Sequence, residues 1–217
     1  MTSLDKEEID RRTDIVINQY EGIVSYCEAF YIQSLMYSAA QSIEAFQRYD
    51  HALDKEYPAA YLVGKIQEAI GHAAALSRYF WPSPQGRGAM RKLKESRGQK
   101  LRVAFQVCED SPIYDRGLRN AWEHFDERLD NYLIHGQAGM FFPGCIVGSH
   151  KEIDEPINHV FKLLDSEAKC LVLLGEKFFF APIRDEVERI LRLADAADQN
   201  GASLRNIPGG KTGSDSN

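Results

Sequence analysis

The feature that most constrains the fold is a change of hydrophobic rhythm at Gly136. Before it, apolar residues recur at steps of three and four, the spacing that lines one face of an α-helix. After it come short β-favouring runs separated by turn residues. The sequence thus predicts residues 1–136 as a helical bundle, 137–199 as a small β-meander plus helix packed on the bundle, and 200–217 as a mobile tail. The fold class expected is mainly α: an up-and-down helical bundle with a small C-terminal antiparallel β-sheet and a final helix. A chain of 217 residues can build such a core without disulfides or metals.

Residues 3 to about 50 read as one long helix or two in succession, with Val16, Tyr20, Ile23, Cys27, Phe30, Ile43 and Phe46 inward and Gly22 as a point where it can bend. The aromatic stretch Tyr26, Phe30, Tyr31 could stack bases, but its helical spacing favours core packing. Pro58 opens a second helix to about Phe80, and WPSPQGRG at 81–88 is a loop. Gly98 is expected to split the next segment, with Leu101 to Val107 beginning a third helix. Strands are expected at Cys145–Gly148, His159–Leu164, Lys169–Leu174 and Lys177–Ala181, and a last helix from Pro182 to about Asp198.

A formal net charge of −6 argues against a uniformly basic nucleic-acid binder, so any contact with RNA must be local. Cys27, Cys108, Cys145 and Cys170 lie far apart, with no metal-ligand spacing, and His51, His72, His150 and His159 stand in unrelated contexts; no metal and no cofactor are expected. The charged start and the lack of a long apolar run suggest a cytoplasmic protein with reduced thiols and no membrane contact. PGGKTG, near the end, lacks the spacing and flanking elements of a phosphate loop.

Chemistry is best sought in SPIYDRGLRNAWEHFDERLDNYLIHG, residues 111–136, which reads as one long helix capped by Ser111 and stopped by Gly136. Leu118, Trp122, Phe125, Leu129, Tyr132 and Leu133 form its expected core stripe. Arg119, Asn120, Glu123, His124, Glu127 and Asn131 occupy the other side. One reading is a solvated face with Arg119 and Glu123 paired at i, i+4. The other makes Arg119, Asn120 and His124 a phosphate-handling group: a fixed cation, an amide and an imidazole able to move protons near neutral pH.

Arg119-Asn120 followed by His124, the run RNAWEH, resembles the Arg-x4–6-His signature of the HEPN superfamily. The resemblance covers the helical part alone. It implies a HEPN-like bundle, a homodimer and a metal-independent endoribonuclease of the kind found in toxin, antiphage and RNA-processing systems, with an antitoxin or other protein as partner. Arg119, Asn120 and His124 would be its catalytic residues and 2′,3′-cyclic phosphates its products. Arg128 and His135 also fit an Arg-x6-His spacing, but apolar Leu129 follows Arg128, and His135 suits a helix C-terminus.

A basic segment precedes this helix: Arg87, Arg91, Lys92, Lys94, Arg97, Lys100 and Arg102 stand against the single acid Glu95. It reads either as a solvated face or as an RNA-binding patch. Three functions therefore stay open: a HEPN-type ribonuclease, a non-catalytic dimerisation or interaction module, and a nucleotide-binding helical protein.

Overall fold

The computed structural model describes residues 4–83, 88–135, 138–155 and 157–209. Among them the protein is mainly helical, with seven α-helices and a four-stranded sheet followed by the last helix. The helices are α1 (Lys6–Tyr20), α2 (Glu28–Asp54), α3 (Ala59–Phe80), α4 (Ala89–Phe105), α5 (Gly117–Glu123), α6 (Phe125–His135) and α7 (Ala181–Gln199). The strands are β1 (Met140–Val147), β2 (Asn158–Asp165), β3 (Cys170–Leu173) and β4 (Glu176–Phe179). None of the described helices is long and apolar enough to cross a membrane. By compactness the chain forms two units, one of Met1–Ala40, Ala75–Tyr114 and Glu188–Asn217, the other of Gln41–Ala74 and Asp115–Val187.

In the first unit, Asp5 caps α1 by accepting from the Glu8 N–H at 2.8 Å. The helix ends where Glu21 and Gly22 take positive φ, 53° and 89°. Gly22 has a second reason to be glycine: a Cβ there would collide with the backbone nitrogen of Arg97. This break resets the helical phase. Ile32, Leu35 and Ala39 of α2 are buried, whereas Phe30, expected in the core, is 73% exposed. Gly98 does not split α4, which runs unbroken from Ala89 to Phe105. It is buried where a Cβ would lie 2.6 Å from the Phe80 carbonyl oxygen and 2.9 Å from Pro82 Cδ, so it permits close approach and is no breaker. Phe80 packs edge-on against Phe105 at 5.7 Å, and Trp81 lies 4.9 Å from Tyr114.

Within the tail expected to be mobile from Asn200, residues 200–209 bury Leu204 and Ile207. The Leu204 N–H and Ser203 hydroxyl donate to Glu28 Oε2, each at 2.9 Å, and Gln106 donates to the Pro208 carbonyl at 3.2 Å. The remainder of the expected tail, 210–217, lies outside the described residues.

In the second unit the C-terminal part of α2 meets the N-terminal part of α3, where the buried Ser42 hydroxyl donates to the Ala69 carbonyl at 2.9 Å. Phe46 and Tyr49 pack their rings on Phe180 at 6.1 and 5.8 Å. The sheet has the order β1-β2-β3-β4. It is mixed where an antiparallel sheet was expected: β1 and β2 are parallel, and the other two pairs are antiparallel. The β1–β2 connection is no tight hairpin but passes through a 3-10 turn, His150–Asp154, held by a Ser149/Glu152 capping box. By contrast β3 and β4 are joined by Leu174 and Gly175 alone, both at positive φ (49° and 81°), the geometry of a two-residue hairpin. Val160, Leu163, Cys170 and Val172 form an apolar cluster with Phe142, Ile146 and Ile153 packed on it.

The single helix expected over 111–136 is corrected to a turn followed by two short helices. Ser111 does not cap α5: it is buried in a turn in which the Tyr114 N–H bonds to its carbonyl at 2.8 Å. The chain enters α5 instead through Asp115, whose Oδ1 accepts from the Gly117 N–H at 2.7 Å. At His124 the backbone leaves the helical region, with φ −114° and ψ 35°. The two helices have different anchorages. α5 buries Leu118 and Ala121, whereas α6 buries no residue fully and lays Phe125 edge-on against Phe161 of β2 at 5.1 Å. Leu133, expected in the core stripe, is exposed.

Candidate functional site

The break between α5 and α6 sets the geometry of the Arg/His set. Arg119 lies on α5 with its side chain 20% exposed, and its guanidinium grips Glu123 with both prongs, Nε to Oε1 at 2.9 Å and Nη2 to Oε2 at 2.7 Å. That is the i, i+4 pair read from the sequence. Asn120 is exposed on the same short helix. His124 occupies the non-helical junction with its side chain 60% exposed, Nδ1 standing 3.7 Å from Glu127 Oε2. Arg119, Asn120 and His124 thus share one seven-residue helix and its C-cap, all within reach of solvent. The second Arg/His spacing is absorbed by the fold: Arg128 pairs with Glu176 of β4 at 2.8 Å, and His135 Nδ1 lies 2.8 Å from the Asn131 carbonyl oxygen.

The basic segment belongs to the first unit, and most of α4's cations have definite partners there. Lys100 donates to the carbonyls of Tyr20 (3.2 Å) and Ile23 (2.9 Å) and lies 3.0 Å from Glu28 Oε1. Arg97 donates to the Arg78 carbonyl at 3.3 Å and lies over the Tyr31 ring. Arg102 donates to the Phe80 carbonyl and, at 2.6 Å, to Gln99. Three of the seven cations therefore serve main-chain oxygens at or just beyond helix ends, where carbonyls lack their helical N–H partner. Arg91 pairs with Glu95 at 2.8 Å, Lys92 is exposed and Lys94 half-buried. Arg87 lies outside the described residues.

Sequence reasoning passed over two groups in the second unit. Asp165 accepts four hydrogen bonds: Oδ2 from the His150 N–H (2.9 Å) and Nδ1 (2.7 Å), Oδ1 from the N–H groups of Glu167 (3.1 Å) and Ala168 (2.9 Å). Burial pushes its carboxyl upward, but these donors outweigh burial and hold it at about 2. The arrangement pins the 3-10 turn to the β2–β3 hairpin and fixes the His150 tautomer with its proton on Nδ1. The other group is a cavity in the α2–α3 hairpin containing Arg48, Tyr57 and Tyr61. Neither has a motif at fixed sequence spacing; the i, i+4 step of Tyr57 and Tyr61 was the one available signal.

In the first unit, Phe30, Tyr37 and Tyr79 border a shallow groove of about 450 Å³ that the phase of α2 leaves open. Among the described residues, no three His, Cys, Asp or Glu side chains gather as they would around a metal ion. Comparison of the chain with protein-family models, with curated proteins and with solved structures finds no match.

Proposed function

We propose that the protein is a metal-independent endoribonuclease of HEPN type that works as a homodimer in the cytoplasm, in a toxin or antiphage setting with a protein antitoxin as partner. The observation that carries this reading is the position of His124. It stands exposed at a helix junction, one turn beyond exposed Asn120 and five residues beyond Arg119. In the reaction, a neutral His124 takes the proton of a ribose 2′-hydroxyl, and the 2′-oxygen attacks the adjacent phosphorus. The 5′-oxygen leaves with a proton from a second, protonated histidine, which a second copy of the chain supplies. The products are a 2′,3′-cyclic phosphate and a 5′-hydroxyl. Proton transfer of this kind is worth about 10²–10⁴ in rate. Arg119 would stabilise charge on the phosphoryl oxygens, which requires the phosphate to draw the guanidinium from Glu123.

The test is incubation of purified protein with structured RNA in EDTA. Cleavage with cyclic phosphate ends, lost in His124→Ala at unchanged dimer mass, is the expected result. RNA left intact at high protein concentration removes the ribonuclease.

Two observations favour a second reading, a non-catalytic interaction module. Arg119 is already neutralised by Glu123, and Leu133, Ile134 (70% exposed), Met140 and Phe141 put apolar surface where α6 ends and β1 begins. Under that reading the chain associates in solution, and Ile134→Asp disperses it without any effect on RNA.

A further inference from the structure

The cavity of the α2–α3 hairpin lies wholly in the second unit and plays no part in the reaction above. Its volume is about 250 Å³, room for a single ring system and too little for a large ligand. Glu44, Gln47, Arg48 and His51 fall on one face of α2 at steps of three and one, while Tyr57 and Tyr61 come from the turn and first residues across the hairpin. The two tyrosine rings meet at 5.1 Å and 63° with their side chains substantially exposed, and the Lys65 ammonium lies 5.4 Å from the Tyr61 ring centroid, so Tyr57 keeps more free aromatic surface than Tyr61.

The charges here are balanced. Arg48 is held between Glu44 (Nη1 to Oε1, 2.9 Å) and Glu68 (Nη2 to Oε1, 2.6 Å), and Glu68 also takes Lys65 at 2.6 Å. Two acids and two cations leave little net field for a free anion or cation. What remains is stacking surface, plus one carboxylate whose orientation Arg48 fixes and a neighbouring exposed amide. Glu44 Oε2 has only a long 3.4 Å contact from Gln41, so that oxygen retains acceptor capacity. A neutral planar ring that offers two adjacent N–H donors beside a carbonyl fits this set. Among nucleobases that edge belongs to guanine.

We propose that this cavity binds a guanine base. The ring stacks on Tyr57 and meets Tyr61 with its edge, its N1–H and amino group donate to the Glu44 carboxylate, and its carbonyl accepts from the Gln47 amide. Arg48 acts as a positioning residue that holds Glu44. The proposal stands apart from the ribonuclease reading, because nucleoside binding is measured without cleavage.

The test titrates the full-length protein with the four neutral ribonucleosides, following NMR shifts. Guanosine should bind at least about tenfold tighter than adenosine, cytidine or uridine. Tyr57→Ala and Tyr61→Ala should each weaken it by about tenfold or more. Glu44→Gln should abolish the preference for guanosine, and since Glu44 is exposed its melting temperature should stay near the parent's. Guanosine 5′-monophosphate and a single-stranded RNA with one guanine form the remaining arms. Tighter binding of the monophosphate than of guanosine marks a free nucleotide as the source, and tighter binding of the RNA marks a strand; both support the base site. No saturable guanosine binding at millimolar concentration, equal affinity for all four nucleosides, or affinity unchanged in Tyr61→Ala each overturns it.

Discussion

Helix α4 and the α5–α6 pair both carry charges that the sequence marks as able to hold phosphate, yet the two regions use them differently. On α4, Arg97, Lys100 and Arg102 turn inward to main-chain carbonyls, and Lys100 ends beside the buried Glu28. On α5 and its C-cap, Arg119 pairs locally and Asn120 and His124 stay at the surface. A run of like charges thus says little about its purpose until the destination of each side chain is known. Where a helix packs against the ends of its neighbours, unsatisfied carbonyls recruit cations. On the short α5 the polar side chains instead pair within the helix or stay exposed.

The contrast breaks most readily at Glu28. Its carboxylate, 4% exposed, accepts from Lys100, Ser203 and the Leu204 N–H, linking α2, α4 and the chain beyond α7 within the first unit. Glu28→Ala leaves the half-buried Lys100 ammonium without its counter-charge. Loss of one partner of such a pair costs about 3–5 kcal/mol, read as a lower urea midpoint. A loss below about 1 kcal/mol would return the α4 cations to the class of ordinary surface charges. Lys92→Ala, at an exposed position of the same helix, is the control and should change nothing measurable.

Gly98 gives a test in which two effects have opposite signs. Helix propensity alone predicts that Gly98→Ala stabilises α4 by about 1 kcal/mol. The Phe80 carbonyl and Pro82 Cδ, both within 3 Å of the added Cβ, predict overpacking instead, with a net loss of about 1–3 kcal/mol. A gain in melting temperature would mean that α4 and the end of α3 are not in close contact, and the carbonyl role of Arg102 would fall with it.

Gly98 also shows what could be read from the sequence and what could not. Local signals were reliable where they were strong: the span of α3 after Pro58, the strands around Leu163, Leu171 and Phe178, and α7 at Pro182 all follow from periodicity and turn chemistry. Glycine was ambiguous, because an interior glycine marks either a break or a close approach. Gly22 is both, Gly98 only the second, and only the neighbouring backbone decides. Phe30 was misplaced because phase does not carry across the left-handed Glu21. The kink at His124 has no proline or glycine to announce it, and the helices on its two sides differ in what they bury. Arg119, Asn120 and His124 were legible as a set, but their relation to Glu123 was legible only as spacing. Asp165 with His150 was not legible at all, being joined through strand pairing across fifteen positions.

Asp165 offers a milder perturbation, by pH, and extends the comparison to a buried acid of the second unit. Its carboxyl lies at about 2 in the folded chain against an ordinary 3.8, so the folded state favours the ionised form. Stability from this group is therefore complete above 3.8 and is lost as pH falls towards about 2. Asp165→Asn should flatten that part of the acid-unfolding curve while leaving the neutral region lower by about 1–3 kcal/mol, through loss of the charge-assisted bond to His150. An acid limb identical in the variant would place the titrating carboxylate elsewhere.

The smallest effect on stability is expected at Arg119, and there it is informative to see little. A local i, i+4 pair on a helix is worth about 0.3–0.5 kcal/mol, so Arg119→Ala should barely move the melting temperature. If the α5 polar set handles phosphate, the same substitution should lower RNA cleavage by about 10²-fold or more, because the charge it supplies is needed only as the phosphorane forms. Glu123→Gln sharpens the point by releasing the guanidinium without removing it. In a catalytic site this variant should cleave at least as fast as the parent, since phosphate no longer competes with a carboxylate for Arg119. In an interaction module neither substitution touches RNA, and any change appears in association alone. A large stability loss in Arg119→Ala with no activity in the parent would put Arg119 in the same category as Lys100, and the difference between the two helices would vanish.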